Sequence, residues 1–545
     1  MWTPRAGFIP LFFLIACGGS SGSGDDVGTE ASTANADSSS TADATTAMGE
    51  GTSTTTTTGG PVEPPEGTAL VTLDLEAVVA EVSPRYLSVA VDSSQVLGGS
   101  FWGEGGASGG LGQKEVDPYD FERPRLRALA AELAPAYLRI GGSEADVVYY
   151  DLSETPVDEA PGPYALLLTA QRWAELVEFS ASMGFELFFT LNAGPGPRDE
   201  NNAWQPDNAR TLLQHAADRG DPVGVWELGN EINGYPLFHA LLLTGEDYAE
   251  DVRAARTLVD AVDPDALLAG PSSAYWPVRG EQNPIMPDFI AAGGDALDVV
   301  TWHYYPTQSE RCPLPSRSSE LTTLLEAANL DEVEKWAEDV ETLVSDHAPE
   351  AELWMGESGN AQCGGQPGVS DRFVGSLWWV DQLGLLARRG HRVTVRQTLS
   401  GSDYGLIDDA TLDPRPDYWA SVLWKRLMGA RVLATSHEGP TSLRSYAHCG
   451  ERGGVTVVLI NLDQSETLDV SLRADAADVY LVHAETLDAT EIRLNGSALP
   501  DDDVEALAAL TPADAELVQG HAVVALPPTS FAFVHLPGLS SAACG

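Results

Sequence analysis

Lysine is almost absent from this chain of 545 residues, in which Lys114, Lys335 and Lys425 are the only examples. Lysine and arginine together number 30 against 81 acidic residues, so the formal net charge is −51. A surface of this sign repels nucleic acid and other polyanions at long range. The composition therefore argues against nucleic-acid binding and against recognition of a heavily sulfated polymer through a broad basic patch. It still permits the capture of one carboxylate in a local pocket.

Long apolar runs are also missing. The run at 8–16 is too short to span a bilayer, and no other segment looks transmembrane. Arg5 precedes this run, and the letters LIAC at 14–17 resemble a bacterial lipobox. We expect an exported protein in which cleavage leaves Cys17 to carry lipid, either anchored to the cell envelope or released. A simple secretory signal with an incidental cysteine is the alternative.

Cysteine is scarce, with five residues in the whole chain. Their spacing fits no metal-site pattern, and no metal is expected. Export makes disulfides feasible, and without Cys17 an even set remains. We expect Cys449 to pair with Cys544, because that bridge would pin the chain terminus. Cys312 and Cys363 both follow predicted strands, where loops meet, so a second bridge is open to them.

Large apolar residues are almost absent from 18–67, which consists mainly of Ser, Thr, Gly, Ala and Asp. Such a segment cannot bury a core, and we predict a disordered tether behind a signal peptide at 1–17. Alternating apolar and polar residues at 70–75 predict a half-buried strand within 68–83. A region of strands and helices follows at 84–430, and a β-rich domain follows at 431–545.

Short apolar runs alternate with helical patterns between residues 84 and 430. Helical spacing is clear at 123–133 and 169–183, where apolar residues recur on one face. Eight strand–helix units of this kind predict a (β/α)8 barrel, whose functional site lies where the strands end. The predicted strands are 87–91, 137–140, 186–191, 225–228, 267–269, 299–302, 352–355 and 393–396.

The C-terminal region has a different pattern, in which alternating segments are separated by Gly, Asp and Asn turns. Examples are 455–460, 479–482 and 530–536. This pattern predicts a β-sandwich, and we expect the early strand at 70–75 to join it. The predicted fold class is therefore α/β: a TIM barrel with a C-terminal β-sandwich that also takes an N-terminal strand.

Two glutamates are the candidates for chemistry. Glu231 closes the run WELGNE at 226–231, after the fourth strand, and Glu357 closes LWMGE at 353–357, in the seventh. Either one alone fits a surface charge at a loop entrance, but in a closed barrel both project into the mouth. Retaining glycoside hydrolysis needs such a pair, roughly 5–5.5 Å apart. We predict Glu231 as the acid/base, its pKa raised by burial and by the negative Glu357, and Glu357 as the nucleophile.

Other polar residues stand at predicted strand ends. Asn230 is expected to bond the sugar 2-hydroxyl, and His303 and Tyr305 are expected to orient the nucleophile. Arg139 ends the second strand and is expected to hold the carboxylates in place. The glycines after it let the backbone approach a ligand beside Ser143.

Several motifs in order resemble the heparanase/β-glucuronidase family of retaining glycosidases, and the likeness runs from about residue 70 to the C-terminus. The matching pieces are YLRIGGS (137–143), WELGNE (226–231), VTWHYY (300–305), LWMGE (353–357), DQLGL (381–385), VRQ (395–397), PRPDYW (414–419) and AAC (542–544). The resemblance implies a (β/α)8 barrel with a β-sandwich, and cleavage next to β-linked glucuronic acid with retained configuration. It likewise assigns Glu231 as proton donor and Glu357 as nucleophile.

The resemblance also implies substrate-binding residues. Asp92, Asn230 and Gln397 fall where the family contacts the sugar. Gly364 and Tyr404 fall where the family grips the uronate carboxylate, through a backbone amide and a phenol. Neutral donors of this kind suit an acidic protein, because they require no basic surface.

Some positions depart from the family pattern. Ser143 keeps a hydroxyl in place of threonine, and Cys363 replaces a glycine beside the carboxylate-binding turn. The segment 271–287 contains a single arginine, Arg279, and no lysine. A β-glucuronide with little sulfation is therefore expected as substrate in preference to heparan sulfate.

We predict a monomeric retaining hydrolase that cleaves β-linked glucuronic acid from oligo- or polysaccharides without cofactor or metal. Two alternatives remain open. One is a barrel glycosidase that acts on neutral sugars, of arabinofuranosidase or xylosidase type. The other is a non-catalytic carbohydrate-binding lipoprotein, whose mark would be the loss of one glutamate, whereas Glu231 and Glu357 are both present.

Overall fold

Eight parallel strands form a barrel in the middle of the chain. The computed structural model describes residues 63–103, 112–313, 315–499 and 510–544. The predicted signal peptide, Cys17 and nearly all of the predicted tether lie outside the described residues. The barrel strands, numbered one to eight in chain order, are Leu87–Asp92, Ala136–Gly141, Phe185–Leu191, Val223–Leu228, Leu267–Trp276, Val299–Tyr304, Glu352–Ser358 and Val393–Arg396.

The barrel closes as the sequence predicted. Strand four pairs with strand five, with Glu227 opposite Ala269, and strand one lies between strands eight and two. Strands one and two are buried at every residue. Apolar runs, rather than an alternating pattern, are typical of parallel strands that are covered on both faces. Because all strands run in one direction, their carboxyl ends meet at a single rim.

One helix follows each barrel strand, so the strand–helix units predicted from the sequence are confirmed. The helix Ala170–Ser182 buries Trp173, Leu176 and Val177 at helical spacing, and the Thr169 side chain caps it. The barrel helices are Pro124–Ala131, Ala170–Ser182, Asp207–Arg219, Gly245–Val262, Met286–Gly293, Glu332–His347, Phe373–Arg388 and Pro416–Leu427. Short helices at Ser93–Leu97, Tyr235–Phe238 and Ala327–Leu330 lie in connecting segments.

The helix Phe373–Arg388 is apolar on all sides because it contacts both the barrel and the C-terminal sheet. All of its residues except Arg388 are buried. Gly384 is required at this contact, since a Cβ there would lie 2.2 Å from the ring of Tyr446. The Tyr446 hydroxyl donates a 2.6 Å hydrogen bond to Asp381. The motif at 381–385 therefore joins the two parts of the molecule and does not belong to the site.

The predicted C-terminal β domain is confirmed, and in the part of the chain that is described its twelve strands are hydrogen-bonded into one continuous sheet. Strand Ala69–Glu81 pairs with Met428–Glu438 and with Leu468–Arg473, so the N-terminal strand joins this domain as expected. The strands are Ala69–Glu81, Met428–Glu438, Leu443–Gly450, Val455–Asn461, Leu468–Arg473, Asp478–His483, Arg493–Leu494, Ser497–Ala498, Ala513–Asp514, Glu516–Val518, His521–Leu526 and Ser530–Leu536.

Cys449 and Cys544 form the expected disulfide, which links two positions 95 residues apart in sequence. The bridge ties the C-terminal segment to strand Leu443–Gly450. Among the helices of the described residues, none combines the length and the apolar character needed to cross a bilayer.

Candidate active site

The two predicted glutamates meet at the carboxyl rim of the barrel. Glu231 follows strand four and Glu357 lies in strand seven. One carboxylate oxygen of each, together with a ring nitrogen of His303, lie within 4.8 Å of one another. This separation is close to the roughly 5–5.5 Å expected for a pair that flanks one glycosidic bond.

The backbone around Glu231 adopts an uncommon conformation. Glu231 has φ of 51°, in the left-handed region, and its N–H donates a 3.0 Å hydrogen bond to the Ser272 carbonyl. Gly229 has φ of 74°, and a Cβ there would lie 2.4 Å from the Ile232 side chain. The glycine of the WELGNE run is therefore required for the turn that directs Glu231 to the mouth.

Arg139 is the buried cation of the site. Its guanidinium donates to Glu357 Oε2 at 2.8 Å and to Glu227 Oε2 at 2.8 and 3.0 Å. The same group donates to Asn230 Oδ1 at 2.8 Å and to Ser272 Oγ at 3.0 Å. Arg139 therefore holds Glu357 in place, as expected. The other carboxylate that it binds is Glu227 and not Glu231.

Glu227 is a fully buried carboxylate whose importance the sequence did not reveal. Besides Arg139, it accepts hydrogen bonds from the hydroxyls of Thr190 and Thr301, both at 2.8 Å. It therefore balances the charge of Arg139 from within the barrel. An acidic residue inside an otherwise apolar strand was the available signal, since a buried charge requires a partner.

Glu231 and His303 form one side of the site, opposite Arg139 and Glu357. The Glu231 side chain is 15% exposed, and its Oε1 lies 3.1 Å from His303 Nδ1. Burial raises the pKa of Glu231 to about 7, while the charge of Arg139 opposes the shift. The upward shift in pKa and its cause, burial, agree with the prediction, but repulsion from Glu357 is not among the causes. Burial also lowers the pKa of His303 to about 4, so the ring is neutral near pH 7.

The structure separates the two residues that were expected to orient the nucleophile. The Tyr305 hydroxyl donates a 2.6 Å hydrogen bond to Glu357 Oε1, as predicted. His303 instead bonds Glu231 and Ser272, so its prediction as a partner of Glu357 was wrong. Side chains alternate between the faces of a strand, but which neighbour each one meets depends on the barrel register.

Asp92, Gln397 and Tyr404 come together beside Glu357. Gln397 Nε2 donates to Asp92 Oδ1 at 2.7 Å and to the Tyr404 hydroxyl at 3.3 Å. Burial, followed by the charge of Glu357, raises the pKa of Asp92 well above its ordinary value.

Ser143 is half-buried at the start of the short helix Ser143–Val147, and the preceding Gly142 N–H donates to Asn230 Oδ1 at 3.3 Å.

Gly364 lies in a turn that packs against Tyr404. Its carbonyl accepts hydrogen bonds from Ser402 Oγ at 2.7 Å and from the Tyr404 N–H at 3.2 Å. A Cβ at Gly364 would lie 2.4 Å from the Trp102 side chain, so only glycine fits.

Cys363, which precedes Gly364, forms a disulfide with Cys312 and has φ of 61°. This second bridge, which the sequence left open, joins the loops that follow strands six and seven.

Comparisons with known proteins agree with this geometry. The model of glycosyl hydrolase family 79, N-terminal domain, matches residues 118–384, which include both glutamates. Heparanase from Mus musculus is 30% identical over 88% of this chain and 96% of its own length. The chain belongs to glycosyl hydrolase family 79. It is therefore a glycoside hydrolase, and its substrate is a carbohydrate.

Other relatives of this family 79 chain extend the comparison. Baicalin-beta-D-glucuronidase from Scutellaria baicalensis is 29% identical over 77% of this chain and 84% of its own length. Among solved structures, an arabinofuranosidase from Xanthomonas axonopodis pv. citri superposes with a TM-score of 0.63 at 16% identity, over 86% of this chain and 99% of that one. This likeness concerns the fold, a barrel with a β domain, alone.

Glu231, His303 and Glu357 also offer three ligand atoms with the spacing of a metal site. Two carboxylates and an imidazole would suit a divalent cation. However, the guanidinium of Arg139 already donates a hydrogen bond to Glu357 Oε2, and its positive charge disfavours a metal cation at that oxygen.

Ser272 is a further residue of the site that no sequence motif indicated. It lies in strand five and contacts both Arg139 and His303. The signal was the pair Ser272-Ser273, two polar residues in a buried strand whose other residues are mostly apolar.

Proposed function

We propose that this family 79 enzyme is a retaining β-glucuronidase, with Glu357 as nucleophile and Glu231 as acid/base. The observation that carries the proposal is the approach of their carboxylate oxygens to within 4.8 Å at the barrel rim. Inverting glycosidases keep their carboxyl groups roughly 6.5–9.5 Å apart, because a water must fit beneath the sugar. The shorter separation supports a double displacement.

In the first step, a Glu357 carboxylate oxygen attacks the anomeric carbon and the glycosidic C–O bond breaks. Glu231 delivers its proton to the departing oxygen. Arg139 and Tyr305 bond one oxygen each of Glu357, at 2.8 and 2.6 Å, which fixes the plane of the carboxylate. Positioning of this kind removes much of the entropic part of the barrier.

In the second step, the Glu231 carboxylate takes a proton from a water molecule, whose oxygen attacks the anomeric carbon. The bond between the sugar and Glu357 breaks, and the β configuration is restored. A pKa of about 7 for Glu231, caused by burial, suits a group that must give and then take a proton near neutral pH.

Two amides are the proposed contacts to sugar hydroxyls. Asn230 Oδ1 already accepts from Arg139 and from Gly142 N–H, which leaves Nδ2 to bond the 2-hydroxyl. Gln397 donates through Nε2 to Asp92, while its buried Oε1 has no partner among the residues that are described. A buried acceptor without a partner is costly, so a sugar hydroxyl is the natural donor.

Glucuronate specificity rests on the Gly364 turn and Tyr404. The backbone amide of this turn and the phenol of Tyr404 are neutral hydrogen-bond donors that lie beside the acidic Asp92. Such donors can bind the carboxylate of a glucuronate without a lysine or an arginine. The Scutellaria relative, whose name states a glucuronidase, supports this substrate class. The segment 271–287 with its single arginine favours a weakly sulfated or unsulfated glucuronide.

Hydrolysis of p-nitrophenyl β-glucuronide, compared with the β-xyloside and the α-arabinofuranoside, tests this proposal. We expect kcat/KM to be highest for the glucuronide, with a β-configured product detected first by NMR. Preference for a neutral glycoside would instead support the arabinofuranosidase or xylosidase type.

The two disulfides are compatible with an exported protein. We further propose that Cys17 carries a lipid and that the catalytic part acts as a monomer outside the cytoplasm. Replacement of Cys17 by Ala should release the protein from the membrane fraction of an expressing bacterium, and size-exclusion chromatography with light scattering should give the monomer mass.

A further inference from the structure

Ser272 lies at the centre of a hydrogen-bond chain that connects the two catalytic glutamates. It is fully buried in barrel strand five. From the nucleophile, Glu357 Oε2 accepts from Arg139 at 2.8 Å, and Arg139 donates to Ser272 Oγ at 3.0 Å. Ser272 Oγ is 2.7 Å from His303 Nε2, and His303 Nδ1 is 3.1 Å from Glu231 Oε1.

The direction of these bonds follows from which groups can donate. Arg139 can only donate, so Ser272 Oγ is an acceptor toward it. In the described residues, the Ser272 hydroxyl hydrogen has no acceptor other than His303 Nε2. If Nε2 carried the proton instead, this buried hydroxyl would be left unsatisfied. The arrangement that satisfies every group has Ser272 donating to Nε2.

The tautomer of His303 is then determined. The ring is neutral because burial lowers the pKa of His303 to about 4, so it carries one proton. With Nε2 as an acceptor, that proton is on Nδ1 and is donated to Glu231 Oε1. Since Oε1 accepts this bond, the acidic proton of Glu231 lies on Oε2.

We infer that Ser272 is a positioning residue that fixes the tautomer of His303 and thereby selects the Glu231 oxygen that carries the catalytic proton. Glu231 donates its proton from Oε2 to the leaving oxygen, and the Nδ1–H bond to Oε1 stabilises the carboxylate that results. The inference rests on the proposed role of Glu231 as acid/base. Beyond that role, the inference places the catalytic proton on Glu231 Oε2 and makes Ser272, in strand five, the residue that decides this position.

The backbone of Ser272 has a separate role that the test must leave intact. Its carbonyl accepts the Glu231 N–H at 3.0 Å, and its own N–H donates to Thr301 Oγ1 at 3.0 Å. Its φ is 58°, a value that glycine adopts at less cost than alanine does. Ser272→Ala and Ser272→Gly both remove the hydroxyl, and the glycine variant also accommodates the backbone.

Ser273 provides a matched control. It is the next residue in the same strand and is also fully buried, but its hydroxyl donates to Glu281 at 2.6 Å rather than to the catalytic groups. Ser273→Ala therefore removes one buried hydroxyl and one hydrogen bond without affecting His303.

The first measurement needs no substrate. Selective ¹⁵N labelling of the 10 histidines, with His303→Gln for assignment, reports the tautomer of His303 by NMR. We expect an Nδ1–H ring in the unaltered protein and in Ser273→Ala, and a mixture of tautomers in both Ser272 variants. An unchanged tautomer in both Ser272 variants would overturn the inference.

The second measurement separates proton donation from structure. For phenyl β-glucuronide, whose leaving group needs a proton, kcat should fall about tenfold to a hundredfold in both Ser272 variants, with a smaller change in KM. For 2,4-dinitrophenyl β-glucuronide, kcat/KM, which reports formation of the covalent intermediate, should change less than about threefold, since little proton donation is needed. Equal losses on both substrates would indicate a merely structural role and contradict the inference.

The two proposals can fail separately. If the enzyme prefers a neutral sugar, the glucuronidase assignment fails, and the same pair of aryl leaving groups on that sugar tests Ser272. If Ser272→Ala does not fold, Ser272→Gly supplies both readouts.

Discussion

The two sides of the active-site cleft hold their carboxylates in opposite ways. On the nucleophile side, Glu357 forms an ion pair with Arg139 and accepts a short bond from Tyr305. On the proton-donor side, Glu231 has the neutral His303 as its side-chain partner, and burial raises its pKa to about 7. In the proposed mechanism, burial on one side and the guanidinium on the other prepare two residues of identical chemistry for different tasks.

Under the proposed mechanism, the different roles of the two glutamates depend on how buried charges are balanced around them. Arg139 lies between Glu227 and Glu357, and each of its carboxylate partners is at hydrogen-bond distance. Glu231 lies outside this cluster, and its side-chain partner in the described residues is the neutral His303 rather than a cation. A general acid must hold its proton near neutral pH, whereas a nucleophilic carboxylate must be ionised.

The largest expected effect comes from removing the charge on the nucleophile side. Glu357→Gln preserves the shape of the side chain but cannot form the covalent intermediate, so hydrolysis should fall to background. Initial rates with p-nitrophenyl β-glucuronide measure this. Glu352→Gln is the matched control, because Glu352 begins the same strand and pairs with Arg392 away from the site. Substantial activity in Glu357→Gln would refute the assignment.

Removing the acid/base should have a smaller and selective effect. For Glu231→Ala, kcat on phenyl β-glucuronide should fall about 10²- to 10⁴-fold, the usual contribution of a general acid. A dinitrophenyl glucuronide should retain much faster formation of the covalent intermediate, and azide should speed its breakdown to a β-glucuronyl azide. A uniform loss across leaving groups, without azide rescue, would contradict the proposed role.

Replacing the cation that distinguishes the two sides should destabilise the fold. Arg139→Met leaves the buried Glu227 and Glu357 without a counter-charge, which should cost about 3–5 kcal/mol in the free energy of unfolding. Urea denaturation measures this. Arg392→Met breaks a half-exposed pair with Glu352 and should cost less than about 1 kcal/mol. Equal costs for the two variants would show that Arg139 does not balance the buried charges.

The smallest effect concerns pH. Because burial raises the pKa of Glu231 to about 7, its protonated, proton-donating form disappears as the pH rises through that value. The kcat/KM of the unaltered enzyme on a phenyl glucuronide should therefore decline above about pH 7, tenfold per pH unit at the limit. In Glu231→Ala this alkaline limb should be absent. If the alkaline decline in kcat/KM persists unchanged in Glu231→Ala, a group other than Glu231 causes it.

A good part of the site could be predicted from the sequence. Periodicity placed all eight barrel strands, and parallel strands bring their carboxyl ends to one rim, so Glu231 and Glu357 had to lie near each other. The partner of Tyr305 was also predicted correctly. The partner of His303 was not, because a strand pattern does not state which residue of the next strand lies opposite.

By itself, the sequence determined the barrel, the additional β domain and its N-terminal strand, the pairing of Cys449 with Cys544 and the positions of the two glutamates. The bridge between Cys312 and Cys363 was left open by the sequence and is present in the structure. Only the tertiary structure decided that the β domain is one continuous sheet, that Glu227 balances Arg139, and that Ser272 reaches His303. The physical reason is that apolar periodicity and turn residues act locally along the chain. Charge balance and hydrogen-bond direction instead depend on distances of about 3 Å between strands that are far apart in sequence.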